Sequence, residues 1–156
     1  MQHKKLNRRS FVLAGGAAVG SSALPAAQAA PVKKHVSRLA DIKVGEPTAF
    51  NYPGDEPAYL VDLGSAIARG AGPKRSLVAY SALCQHMGCP VNYSKKTGHF
   101  VCPCHASVFD PAKNGDALEG PSPRGLPRIS LRVDGDAVYA VGIEDGLVYG
   151  RACNHS

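Results

Sequence analysis

The sequence predicts an all-β fold of short antiparallel strands, and three observations carry that prediction. Turn formers are abundant, with 17 Gly and 12 Pro in 156 residues, whereas aromatic residues make up only 6% and Trp is absent. Such a chain is interrupted too often for long helices. The apolar runs are short and rich in Val, Leu, Ile and Tyr, as strands require. Turn signals such as Lys95-Lys96-Thr97-Gly98 and Asp134-Gly135-Asp136 separate them. The length suits one ordinary domain, and 44% apolar with 19% charged residues excludes wholesale disorder.

The first segment is set apart by charge. All 12 acidic residues lie at or after Asp41, whereas Lys4, Lys5, Arg8 and Arg9 stand unbalanced at the start. A soft apolar stretch over residues 11–24, then Pro25 and Ala27-Gln28-Ala29, complete the layout of a secretory signal. Asn7-Arg8-Arg9-Ser10-Phe11-Val12-Leu13 resembles the bacterial twin-arginine export motif. Residues 1–29 are therefore expected to be a twin-arginine signal peptide cleaved near Ala29, with residues 30–156 forming the mature periplasmic domain. The apolar stretch contains Gly15, Gly16, Gly20, Ser21 and Ser22, and falls short of the roughly 20 strongly apolar residues of a membrane anchor. Removing four of the 18 basic residues leaves 14 against 12, so the formal charge of +6 becomes +2. A nucleic-acid-binding role then has no electrostatic basis.

Within the mature chain, residues 58–63 and 77–83 read as strands, the second leading into a cysteine-bearing loop. Val91-Asn92-Tyr93 and His99-Phe100-Val101 flank the Lys95–Gly98 turn as a hairpin. His99 in this hairpin reads as a surface or packing residue. Ile129, Leu131 and Val133 alternate with polar residues, and Asp134-Gly135-Asp136 turns the chain into a last strand over 137–141.

Five cysteines stand at 84, 89, 102, 104 and 153, four of them close together. Cys84-Gln85-His86-Met87-Gly88-Cys89 and Cys102-Pro103-Cys104-His105 form two loops, joined by the hairpin, that each bring Cys and His. Tetrahedral zinc, an iron–sulfur cluster and a pair of disulfides all use such residues. Zinc knuckles space their ligands more widely than Cys-x-His, and two disulfides leave both histidines without a role. A [2Fe–2S] cluster with two Cys and two His uses one pair from each loop and leaves one cysteine per loop over.

The two loops, Cys84 to Cys89 and Cys102 to Phe109, resemble those of the Rieske iron–sulfur proteins. The resemblance implies an antiparallel Rieske-type fold with a small cluster-binding subdomain over about 82–125. It implies a [2Fe–2S] cluster held by Cys84, His86, Cys102 and His105, and a disulfide between Cys89 and Cys104. High-potential members continue the second loop as Cys-His-Gly-Ser-x-Tyr, the Ser and Tyr hydroxyls donating to sulfur; here the run is Cys104-His105-Ala106-Ser107-Val108-Phe109. Ser107 and Phe109 are thus the cluster-tuning positions, and the absent phenol implies a potential below that of quinol-oxidising members. Gly120, Pro121 and Pro123 resemble the Pro loop that covers the cluster.

The segments after Phe109 hold no His except His155, too few for the non-haem iron of a Rieske oxygenase. Phe50-Asn51-Tyr52-Pro53, His86-Met87-Gly88-Cys89-Pro90, Leu126-Pro127-Arg128 and Gly146-Leu147-Val148-Tyr149-Gly150-Arg151 look like the Rieske subunit of arsenite oxidase. That resemblance implies a large catalytic partner carrying a molybdopterin centre and a [3Fe–4S] cluster, and a periplasmic c-type cytochrome or cupredoxin as redox partner. No catalytic residue is expected on this chain. The chain departs from the arsenite oxidase pattern in the loop 120–125. The related iodate reductase small subunit, with electron flow reversed, is the alternative. The Rieske subunit of a quinol:cytochrome c oxidoreductase and a structural zinc-binding module are more distant ones. Cys153 reads as a plain thiol.

Overall fold

The computed structural model describes residues 32–150. The expected signal segment, its expected cleavage point and Cys153 lie outside the described residues. No helix among the described residues is long and apolar enough to cross a membrane.

Ten strands follow in chain order: β1 (Lys34–Arg38), β2 (Pro47–Asn51), β3 (Pro57–Asp62), β4 (Leu77–Ser81), β5 (Asn92–Ser94), β6 (His99–Val101), β7 (Val108–Asp110), β8 (Asp116–Glu119), β9 (Arg128–Asp134) and β10 (Ala137–Glu144). Among the described residues, helix is confined to two single 3₁₀ turns, Leu39–Asp41 and Pro111–Lys113. A six-stranded sheet runs β1-β10-β9-β4-β3-β2, and a four-stranded sheet runs β5-β6-β7-β8. Every pairing between strands is antiparallel. The fold is the all-β one expected from the turn-rich composition.

The central strand β4 explains why its sequence is continuously apolar rather than alternating. Val78 and Tyr80 face one core, with Phe100, Phe109 and Leu126 of the smaller sheet and its flanks, while Leu77 and Ala79 face a second, with Leu60, Ile129 and Val138. A strand covered on both faces favours a near-continuous apolar run, here Leu77 to Tyr80 before the buried Ser81. Two cysteines, Cys84 and Cys102, belong to the first core. The hairpin β5–β6 has the register Asn92↔Val101, Tyr93↔Phe100 and Ser94↔His99, which delivers the chain from the first cysteine loop directly to the second.

The join between the sheets' supports is polar. Strands β4 and β9 meet at one pair, Tyr80↔Arg128. The buried Arg128 guanidinium donates to the Arg69 carbonyl and, at 3.3 Å, to Asn114 Oδ1 in the turn after the second 3₁₀ segment. The Tyr80 hydroxyl donates to the Pro111 carbonyl at 2.8 Å. Both bonds fasten the cluster-bearing sheet to the larger one.

Burial pushes the Tyr80 phenol from its ordinary value of 10.0 up to about 12. The folded state therefore favours the neutral phenol, so the associated stability is complete below pH ~10 and falls as pH rises through ~12. Tyr80→Phe should cost about 1–2 kcal/mol at neutral pH, because it leaves the Pro111 carbonyl without its donor. Urea unfolding at pH 8 and pH 11 tests this: the deficit of the variant against the wild type should narrow at the higher pH. A deficit that stays constant or widens would show that Tyr80 does not stay neutral in the fold.

Candidate metal centre

The two cysteine loops are built on one local template. In the first, Gly88 N–H donates to the Cys84 carbonyl at 2.8 Å; in the second, Ala106 N–H donates to the Cys102 carbonyl at 3.0 Å. Both closing residues, Gly88 (φ +75°) and Ala106 (φ +57°), adopt the left-handed conformation. That is free for glycine and costs about 1–2 kcal/mol for alanine. Each turn is pinned at its base, by Cys84 N–H to Cys89 O at 2.9 Å and Cys102 N–H to Ser107 O at 2.8 Å. The result places Cys84 and Cys102 at the floor, each 1% exposed, and the histidines at the rim, His86 half-buried and His105 exposed.

His86 and His105 present their Nδ1 atoms to one another at 3.3 Å, with rings at 86° and centroids 4.7 Å apart. Two nitrogens each about 2.0–2.1 Å from one tetrahedral metal would stand about 3.4 Å apart, so the pair fits a shared metal through Nδ1. On the sulfur side, Cys84 and Cys102 are the free thiols among the described residues, and both are buried. Burial pushes the Cys84 thiol up, opposed by the His86 backbone N–H and the Ser107 hydroxyl. A donor set of two buried sulfurs and two rim imidazoles is the chemistry of an asymmetric dinuclear iron site.

Cys89 and Cys104 form a disulfide across the two loops, with 15 residues of sequence separation. Distance alone would group Cys89, Cys102 and Cys104, whose sulfurs all lie within 4.8 Å of one another. Two of those sulfurs are consumed in the disulfide and hold no lone thiolate for a metal, so the trio is not a ligand set.

The surrounding positions are close by. Ser107 is fully buried and its Oγ accepts the Ser122 N–H at 3.2 Å. Gly120 (φ +86°) lies so near Ser107 that an added Cβ would stand 2.5 Å from Ser107 Cα, which lets the loop 120–123 close over the second cysteine loop. Pro121 and Pro123 are exposed on its outside. Phe109 is fully buried in the same core as Cys84 and Cys102, paired with Phe100 across β6–β7. It supplies packing and no hydroxyl. Phe109→Tyr is expected to raise the reduction potential, by about 40 mV for each kcal/mol by which a new hydrogen bond strengthens on reduction. Voltammetry of the variant showing no change or a fall would remove Phe109 as a tuning position.

Sequence reading missed two contributors. The left-handed Ala106 leaves no signal in residue type, and Tyr149, whose ring lies against Gly88, is 61 positions downstream of it.

An all-β fold carrying a Cys/His pair on each of two facing loops defines an iron–sulfur electron carrier, and this chain belongs to the Rieske [2Fe–2S] domain family, which it matches over residues 33–130. It is 38% identical to the iodate reductase subunit IdrB of Denitromonas iodatirespirans over 97% of this chain and 88% of that protein. It is 36% identical to the subunit of the same name from Pseudomonas sp. (strain SCT), over 93% of this chain and 82% of that one. Among solved structures, the soluble domain of Rieske protein II from Sulfolobus acidocaldarius superposes with a TM-score of 0.63 at 24% identity, covering 71% of this chain and 77% of that chain. The cofactor of the family is a [2Fe–2S] cluster, and the donor set described above suits it.

Proposed function

We propose that this chain is the electron-transfer small subunit of an iodate reductase-type oxidoreductase. The observation that carries the proposal is near-full-length similarity to two iodate reductase subunits. Arsenite oxidase, the first expectation from the sequence, gives way to the alternative, since both of those relatives bear the iodate reductase name. In this reading a periplasmic c-type cytochrome or cupredoxin supplies electrons, and a large molybdopterin subunit with a [3Fe–4S] cluster consumes them. Export by the twin-arginine route with cleavage near Ala29 is part of the same proposal.

Cys84 and Cys102 would hold the inner iron as thiolates, and His86 and His105 would hold the outer one through the Nδ1 atoms that face one another. The bound cluster supplies a one-electron couple. Two neutral imidazoles in place of two thiolates leave the outer iron easier to reduce. Bound through Nδ1, His86 and His105 would each leave an Nε2–H donor at the rim, free to hydrogen-bond a partner. Ser107 donates to the Cys84 sulfur, which stabilises its anionic form. The floor position of both cysteines keeps water from the sulfurs.

Co-expression with a large molybdopterin subunit of the iodate reductase type tests the assignment. A co-purifying complex that reduces iodate with a reduced cytochrome, and a small subunit holding iron and acid-labile sulfide in a 1:1 ratio, are the expected results. A complex that oxidises arsenite without reducing iodate would restore the first expectation. Zinc in place of iron would overturn the ligand assignment.

A further inference from the structure

We infer that Tyr149, on the segment leaving β10, is a positioning residue for the first cysteine loop and so for His86. The inference rests on the proposed ligand set, because it concerns how this chain's own residues hold one of those ligands.

The segment is anchored at both ends of a short path. At its start, Arg69 donates to Glu144 Oε2 at 2.5 Å and to Asp145 Oδ2 at 2.6 Å, and Asp145 turns the chain in the left-handed conformation at φ +59°. Val148 is then 2% exposed, so the residues on either side of it face outward. Leu147 remains open to solvent, whereas the Tyr149 ring lies on the backbone of Gly88. A Cβ at position 88 would stand 2.4 Å from Tyr149 Cδ1 and 2.5 Å from Cε1, distances at which something must shift. The Cδ1–Cε1 side of the ring thus sits against a residue that has no side chain to keep it away, while the rest of Tyr149 leaves it 40% exposed.

Gly88 is the residue whose N–H closes the first loop onto the Cys84 carbonyl, and it lies two positions after His86. Motion of Gly88 therefore carries the His86 backbone with it. The second loop has a cover of its own in the Gly120–Pro123 segment lying on Ser107. Tyr149 performs the matching service for the first loop from the far end of the domain. The ring, not the phenol, makes this contact, since the atoms nearest Gly88 are ring carbons.

The test uses the full chain loaded with its cluster, as wild type, Tyr149→Phe, Tyr149→Leu, Tyr149→Ala, Gly88→Ala and the double variant Gly88→Ala/Tyr149→Ala. Three quantities are read: the electron paramagnetic resonance g-values of the reduced protein, its reduction potential, and the rate at which the visible absorbance of the cluster is lost. Tyr149→Phe should match the wild type. Tyr149→Ala and Gly88→Ala should each shift the g-values and potential and lose the cluster about tenfold faster, equivalent to ~1.4 kcal/mol, with Tyr149→Leu between. The double variant should lose it more slowly than the product of the single effects, because the added Cβ then has room. Should Tyr149→Ala hold no cluster at all, the order Phe slower than Leu carries the same result. Unchanged g-values and potential in Tyr149→Ala and Tyr149→Leu, or fully additive effects in the double variant, overturn the inference. A wild type without the Rieske resonance overturns the ligand set instead.

Discussion

Exchanging both rim histidines for cysteine, in the double variant His86→Cys/His105→Cys, lowers the reduction potential by several hundred millivolts while the chain still binds two irons. Rieske centres lie at about −150 to +300 mV, against about −400 mV for clusters held by four thiolates in plant-type ferredoxins. The difference is electrostatic at root: two added thiolates place two further negative charges beside the iron that accepts the electron. The loops tolerate the exchange because their shape depends on backbone bonds, Gly88 N–H to Cys84 O and Ala106 N–H to Cys102 O, and not on the imidazoles. Protein-film voltammetry reads the potential, and optical spectra confirm that the cluster is present. A drop smaller than about 100 mV in a loaded variant would mean that His86 and His105 are not iron ligands.

Removing the disulfide is the second large effect. With Cys89 and Cys104 separated by 15 positions in sequence, the loop-closure argument gives about 3 kcal/mol of stabilisation through restriction of the unfolded chain. Cys89→Ala/Cys104→Ala should lower the unfolding free energy by roughly that amount, seen as a lower urea midpoint together with a steeper slope, because the unlinked unfolded chain exposes more surface. Each loop keeps its own closing bonds, but the link between the loops goes, so cluster loss should accelerate as well. A loss of stability below about 1 kcal/mol would show that the Pro loop and the hairpin already hold the loops together.

Much of the site was legible because metal chemistry constrains residue type. Cys84, His86, Cys102 and His105 announce themselves by spacing, and the hairpin between them follows from Lys95–Gly98 and its flanking apolar residues. The central strand β4 was equally plain, since double-sided burial favours a near-continuous apolar run. The edge strands β1, β2 and β8 were not read. Lys34–Arg38 and Asp116–Glu119 carry charge within the strand and alternate poorly, because an edge needs only one partner and is partly solvated on both faces. Pro47–Asn51 starts on a proline, a residue that sheets accept at an edge or at a strand's first position but that does not announce a strand. The Tyr149–Gly88 contact could not be read at all: it pairs residues distant in sequence, and an aromatic ring on a glycine has no pattern of its own. Choosing between arsenite and iodate was beyond the loops for a related reason, since a relay presents the same cluster ligands whatever oxyanion lies downstream.

The cysteines at the floor of the loops are also members of the main apolar core, alongside Tyr80, Phe100, Phe109 and Leu126. The metal centre and the interior are therefore one object. A cofactor seated on Cys84 and Cys102 fills interior volume as a side chain would, and because it binds the native arrangement in preference to the open chain, its binding energy adds to the stability of the fold by mass action. Cluster loading and domain stability would then be linked: with the proposed ligands, a chain that lost its iron would lose part of its stability with it.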